Sequence, residues 1–205
     1  MCEINPSDTV KVVAGYGQDN ADSWSLTPTT KQAVAYEKNH PGTTVVAGIN
    51  ADFFNMGTGE PMGALVMEGK EKHAANGRYY FGVTKQGQAV IRNDSDMSDL
   101  ETAVGGDALL INDGKIMSEN TAYGSMDYSR TAIGIKPDGT IVSFVTYGNR
   151  APVSCGRTYM EIAEMLKEAG CTYALALDGG GSSTFVARPE GTTGLQVRNH
   201  PVDGA

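Results

Sequence analysis

The sequence predicts an α+β domain, a mixed, largely antiparallel sheet with a few packed helices. Three observations carry this expectation. Two segments have clear helix start and stop signals, many short apolar runs are bounded by turn residues, and the regular strand–helix alternation of a doubly wound fold is missing. Glycine is plentiful, at 26 of 205 residues, and 40% of the chain is hydrophobic, enough for a sizeable core. No internal repeat, low-complexity tract or long linker divides the chain, so residues 1–205 read as one domain.

The first helix follows Ser25-Leu26-Thr27-Pro28, where Thr27 suits an N-cap and Pro28 the first helical position. Residues 31–39 continue it until His40-Pro41-Gly42 ends it. Residues 43–51 (TTVVAGINA) are β-branched and almost continuously apolar, which predicts a strand covered on both faces. Short strands are expected at residues 63–67, 79–84, 89–92, 107–112, 131–136 and 141–147. Asn112-Asp113-Gly114 and Lys136-Pro137-Asp138-Gly139 provide the turn residues of two hairpins. A second helix covers residues 158–169: Thr158 and Glu161 have capping-box spacing, Gly170 sits at the C-terminal cap, and Tyr159, Ile162, Ala163, Leu166 and Ala169 share a face. A strand at 173–177, a turn at 178–181 and a strand at 183–187 follow.

Sixteen Lys and Arg against 24 Asp and Glu give a net charge of −8, which argues against an extended nucleic-acid or anionic-membrane surface. No apolar stretch approaches the roughly 20 residues of a membrane span. Met1-Cys2-Glu3-Ile4-Asn5 lacks the basic and apolar regions of a signal peptide. Cys2, Cys155 and Cys171 are too few and scattered for a disulfide scaffold or a thiolate zinc site. The intervening helix, roughly 17 Å long at 1.5 Å per residue, separates Cys155 from Cys171 beyond the ~7 Å reach of a disulfide. Three buried free thiols are expected.

Four polar clusters stand beside apolar strands. Asn50-Ala51-Asp52-Phe53-Phe54-Asn55 closes the first long apolar run, and period-two geometry puts Asn50 and Asp52 on one face, with Phe53 and Phe54 anchoring the loop. The alternative is a plain loop in which Asn50 and Asp52 satisfy local backbone donors. Asp178-Gly179-Gly180-Gly181-Ser182-Ser183-Thr184 offers accessible N–H groups and hydroxyls to an anion or a sugar, or is simply a tight turn; without the lysine it is no Walker loop. Ser129-Arg130-Thr131 provides a planar guanidinium suited to phosphate or carboxylate, or to a structural ion pair. Gly105-Gly106-Asp107 opens a strand, with Gly156-Arg157 as a lesser relative. His40, His73 and His200 have no metal-binding spacing and no nucleophile elbow is present, leaving carboxylates as the acid/base candidates. Paired carboxylates with an anion site fit hydrolysis at a sugar carbon bearing an anionic leaving group.

Taken together, residues 48–54 (GINADFF), 63–69 (GALVMEG), 105–114 (GGDALLINDG), 130–134 (RTAIG) and 156–184 resemble the phosphodiester glycosidase family. The resemblance covers residues 10–203, and its last block is the most specific. It implies an α+β catalytic domain, usually exported to the extracellular space or cell envelope, that hydrolyses the bond between an α-linked, N-acetylglucosamine-type sugar and a phosphodiester. The matching residues are Asn50, Asp52, Asp107, Arg130, Asp178, Gly179, Gly180, Ser182 and Ser183. Gly181 and Thr184 complete the proposed substrate loop. Ala51-Asp52 stands where many relatives have two glycines.

Because a phosphomonoester is a good leaving group, Arg130 and the 179–183 loop need only stabilise its charge. Asp178 is the first choice as base or nucleophile, with Asp52 or Asp107 second. The competing expectation is a non-catalytic cell-envelope polysaccharide-binding module using the same cleft. No cofactor or metal is expected, although the three aspartates with backbone carbonyls offer Ca²⁺ an alternative site. Residues 3–6 and 199–204 resemble parts of family strands, which predicts a domain trimmed at both ends, its sheet completed by flanking segments or another chain.

Overall fold

The computed structural model describes residues 1–117, 123–148 and 154–201. In chain order they form β1 (Cys2–Ile4), α1 (Thr29–Asn39), β2 (Ala47–Ile49), β3 (Leu65–Met67), β4 (Lys70–His73), β5 (Tyr80–Thr84), β6 (Ala89–Arg92) and β7 (Leu100–Gly105). The second half contains β8 (Leu109–Asn112), β9 (Lys115–Ile116), β10 (Arg130–Ile135), β11 (Ile141–Thr146), α2 (Tyr159–Glu168), β12 (Tyr173–Ala176), β13 (Phe185–Ala187) and β14 (Gln196–Val197). The α+β class is as expected, but the strands divide into three sheets: β1-β11-β10-β12-β8-β9, β4-β3-β7-β5-β6 and β14-β13-β2. Among the described residues every strand pairing is antiparallel.

Period-two alternation in β10 and β12 explains how the six-stranded sheet is covered on both faces. Ala132, Ala174 and Ala176 point to α2, where Tyr159, Ile162, Ala163 and Leu166 are buried against them. Small residues on the sheet let the helix sit close. Ile133, Ile135, Leu175 and Leu177 point the other way and meet Phe81 and Val83 of the five-stranded sheet. The opposite face of that second sheet is filled by Val66, Tyr80, Met97, Leu100 and Ala103.

The helix α2 is built as the sequence predicts: Thr158 accepts from the Glu161 N–H at 3.2 Å, and the Glu161 carboxylate accepts from the Thr158 N–H at 2.8 Å. Gly170 has φ +93°, the left-handed cap position. Both expected hairpin turns also form, with Asp113 at φ 47° and Gly114 at φ 73° joining β8 to β9, and Gly139 at φ 86° joining β10 to β11.

Other elements differ. Residues 43–51 contain only the short β2, and Val46 is 63% exposed, so the expected strand covered on both faces does not form. Its backbone is bonded elsewhere: the Val45 N–H donates to Glu37 Oε1 at 2.7 Å, and the Arg188 N–H donates to Val46 O at 2.8 Å. Helix α1 begins one residue later than expected, with Pro28 as an N-cap that makes no side-chain bond. Of the three free thiols only Cys171 is buried, and burial pushes it up to about 11; Cys2 is half-buried and Cys155 exposed. At the chain ends, β1 pairs along β11, and residues 202–204 lie outside the described residues.

Replacing Thr158 by Ala removes one half of the capping box and should lower stability by about 1 kcal/mol in urea unfolding, without changing the fold.

Candidate active site

The ends of β2, β10 and β12 meet at one place because Asn50 joins them. Its Nδ2 donates to Asp178 O at 2.7 Å, while its Oδ1 accepts from Thr131 Oγ1 at 2.7 Å and from the Thr184 N–H at 2.9 Å. The Asp178 N–H in turn donates to Ala51 O at 2.8 Å. Asn50, expected to touch substrate, thus holds the walls of the site together.

This junction brings three carboxylates into one electrostatic cluster. Asp52 has a side chain only 6% exposed, and its Oδ2 accepts from the Gly63 N–H at 2.5 Å. Its pocket exists because Gly63 and Gly105 have no side chains: a Cβ on Gly105 would collide with the Asp52 carboxylate. His73 braces this wall, its Nδ1 bonding Gly63 O at 2.7 Å. Burial raises Asp52 to about 6, opposed by the Gly63 N–H and the Arg78 charge. Asp178 is likewise raised to about 6 by burial, opposed by hydrogen bonds from the Ser182 hydroxyl and the Gly179 N–H, and raised further by Asp52 and Asp107. Asp107 Oδ2 accepts from the Tyr159 hydroxyl at 2.6 Å.

Two arginines face the carboxylates in different ways. Arg130 is 1% exposed and makes no ion pair among the described residues. Its guanidinium donates to Tyr123 O at 2.5 Å, Met126 O at 2.8 Å and Arg157 O at 3.1 Å, and lies 4.2 and 4.4 Å from the Tyr123 and Tyr159 ring centroids. Arg78, which the sequence reading missed, donates to Gly106 O at 2.8 Å. Its Nη2 lies 3.6 Å from Asp52 and 3.9 Å from Asp107, beyond hydrogen-bond reach of either. The one local signal was Asn76-Gly77, a pair at φ 55° and 73° that turns the chain just before Arg78.

The 178–184 loop is not the open N–H cradle expected. Gly180 N donates to Ser129 O, Ser182 N to Gly179 O, Ser183 N to Gly180 O and Thr184 N to Asn50. The loop therefore positions Asp178 and presents the Gly181 and Ser182 surface. No group of three or more His, Cys, Asp or Glu among the described residues is arranged to hold a metal ion. A separate surface cavity of about 500 Å³, between residues 18–22, the end of α1 and the β3–β4 hairpin, is lined by none of Asp52, Arg78, Asp107, Arg130 and Asp178.

One feature of the site is chemical rather than geometric. Among the described residues, the buried side-chain polar atoms with no hydrogen-bond partner are Asp52 Oδ1, Arg78 Nε, Arg130 Nη1 and Ser183 Oγ. All belong to residues of this junction or its walls.

Asp52 and Asp178 bind protons more tightly in the folded than in the unfolded chain, so stability falls as pH rises from about 4 through about 6. Asp52→Asn and Asp178→Asn should therefore each be more stable than the parent at about pH 7, by up to ~3 kcal/mol, with the gain gone near pH 4. Urea midpoints at the two pH values measure this.

Comparison with known proteins agrees with the motif reading. The mouse and cattle N-acetylglucosamine-1-phosphodiester α-N-acetylglucosaminidases are each 30% identical to the chain, over 70% and 76% of it respectively. The chain spans 33% of the length of each of these curated relatives. The fold is similar to that of the zebrafish enzyme of the same name, solved as a catalytic domain auto-inhibited by its pro-peptide, with a TM-score of 0.62 and 22% identity over 78% of this chain and 59% of that one. A Burkholderia pseudomallei protein described as exported has a TM-score of 0.60, with 15% identity over 93% of this chain and 68% of that one. Residues 43–205 match the family model described as phosphodiester glycosidase, and the chain belongs to that family.

Proposed function

We propose that the chain hydrolyses the bond between the anomeric carbon of a sugar and a phosphodiester, releasing the free sugar and a phosphomonoester. The observation that carries this reading is the convergence of unpartnered buried groups on the Asp52–Asp178 junction. An unmet buried donor or acceptor costs about 1–3 kcal/mol, so several around one junction point to a ligand or ordered water that completes them. Two of these atoms are guanidinium N–H groups, suited to the oxygens of a phosphate. Family membership and the names of the mouse and cattle relatives support a sugar phosphodiester as substrate, and an α-linked N-acetylglucosamine-type sugar as the first to try.

The chemistry follows from the charges. Burial raises both Asp52 and Asp178 to about 6, and the Asp52 charge raises Asp178 further, so near pH 6 the pair holds on average about one proton. The ionised member, assigned as Asp178, takes a proton from water as it adds to the anomeric carbon. The bond from that carbon to the phosphate oxygen breaks, and its electron pair stays on the oxygen, beside Arg78 and Arg130. Asp52, as the neutral member, gives the reacting centre a hydrogen-bond donor. Asp107, tied by Tyr159, balances the Arg78 charge from the other side. An extracellular or cell-envelope location fits this activity.

The decisive assay is release of phosphomonoester from a panel of sugar-1-phosphodiesters; binding without release would identify a polysaccharide-binding module instead. Asp178→Asn should lower turnover by about 10²–10⁴-fold while the circular dichroism spectrum stays unchanged. Arg78→Gln should lower kcat/KM by about 10²–10³-fold. Turnover with a chelator should equal turnover with added calcium.

A further inference from the structure

We propose that the Tyr123 hydroxyl contacts substrate directly, donating a hydrogen bond to a phosphate oxygen of the departing group. The proposal rests on the hydrolytic reading above and adds a residue to it that neither the motifs nor the carboxylate cluster singles out.

The ring of Tyr123 is fixed on several sides. Its face covers the Arg130 guanidinium at 4.2 Å, its edge contacts put Phe53 at 6.1 Å and Tyr159 at 5.9 Å, and its own carbonyl accepts from Arg130 at 2.5 Å. The hydroxyl at the end of this ring lies against the loop that follows Asp178: a Cβ on Gly179 would be only 2.8 Å from it. Glycine is required there because the hydroxyl occupies the space.

The neighbouring tyrosine shows what is unusual about Tyr123. The Tyr159 hydroxyl is committed to Asp107 at 2.6 Å, whereas no described residue hydrogen-bonds the Tyr123 hydroxyl. Burial raises the pKa of Tyr123, and Asp178 and Asp107 push in the same direction against Arg130. The phenol therefore keeps its proton at any working pH and acts only as a donor. The buried Arg130 charge beneath its ring draws the negative leaving group to this side of the site. As the bond between the anomeric carbon and the phosphate oxygen breaks, the electron pair remains on that oxygen; the Tyr123 proton stays on the phenol, and the bond to it shortens as the charge grows.

Tyr123→Phe tests this with little disturbance, since the ring contacts stay and the hydroxyl removed has no hydrogen-bond partner among the described residues. We expect an unchanged unfolding midpoint and kcat/KM lowered by about 10²-fold. The loss should be larger for alkyl than for aryl phosphodiesters, because a more basic leaving oxygen needs the donor more. Affinity for inorganic phosphate should fall about tenfold in calorimetry. Equal kcat/KM and equal phosphate affinity in parent and variant would overturn the proposal, as would a loss of the same size for both leaving groups. A parent that turns over none of the panel sinks the hydrolytic reading instead; the phosphate titration then judges Tyr123 alone, weaker binding by the variant supporting it and equal binding overturning it.

Discussion

The Asn50 side chain is the smallest part on which the rest depends. Separate chain segments, those carrying Thr131, Asp178 and Thr184, are bonded to one amide. No other side-chain type offers both a donor and a two-lone-pair acceptor at this length except glutamine, which is one methylene too long. An aspartate would lose the donor to Asp178 O and add a negative charge to an already acidic junction. Among the described residues β2 pairs with no strand but β13, and Val46 just before it is exposed, so this amide largely decides where Ala51 and Asp52 sit.

Arg130 shows the opposite strategy, a charge buried with no ion pair among the described residues. A guanidinium removed from water loses several kcal/mol of hydration unless it is compensated. Its compensation is entirely neutral: backbone carbonyls of residues 123, 126 and 157 and two tyrosine faces. Because no carboxylate among the described residues neutralises it directly, its positive field remains available to an incoming anion. A salt-bridged arginine at the same point would be more comfortable and less useful, since the substrate would have to compete with the carboxylate. Asp52 and Asp178 complete the logic from the other sign, with burial raising both so that they keep part of their protons near pH 6.

Elements with local signals were legible in the sequence; those held only by distant partners were not. Thr158, Glu161 and Gly170 determine α2 within a dozen residues, and Asp113-Gly114 determines its hairpin, so both could be read directly. By contrast, β4 (KEKH) is charged and has no apolar alternation; it exists because β3 pairs with it across the Glu68-Gly69 turn. Central strand β7 (LETAVG) hides in the same way, since Thr102 is buried on account of a bond to the Ala14 N–H, a contact far away in sequence. In the site, the three aspartates, Arg130 and the glycine loop stood out because they flank apolar strands. Arg78 and Tyr123 reach the same place from loops whose sequence carries no periodicity, and only the packing of the two large sheets and the 123–128 turn brings them in.

The glycine content takes on a physical meaning at this site. Gly105 is glycine because the Asp52 carboxylate fills the volume of its missing side chain, and Gly179 is glycine because the Tyr123 hydroxyl and Ser129 O fill the corresponding volume there. Gly106 is excluded from bearing a side chain by Leu175, which keeps the adjoining Asp107 close to β12. Each of these glycines is the complement of a neighbouring group, so their positions record the shape of the cleft. Turn glycines such as Gly87 and Gly139 differ in kind: a Cβ on them would meet nothing, and they are required only by a positive φ. Alanine at Gly139 is thus a strain confined to one hairpin, whereas alanine at Gly105 displaces a buried carboxylate and, with it, the charge balance that Arg78 and Asp178 share.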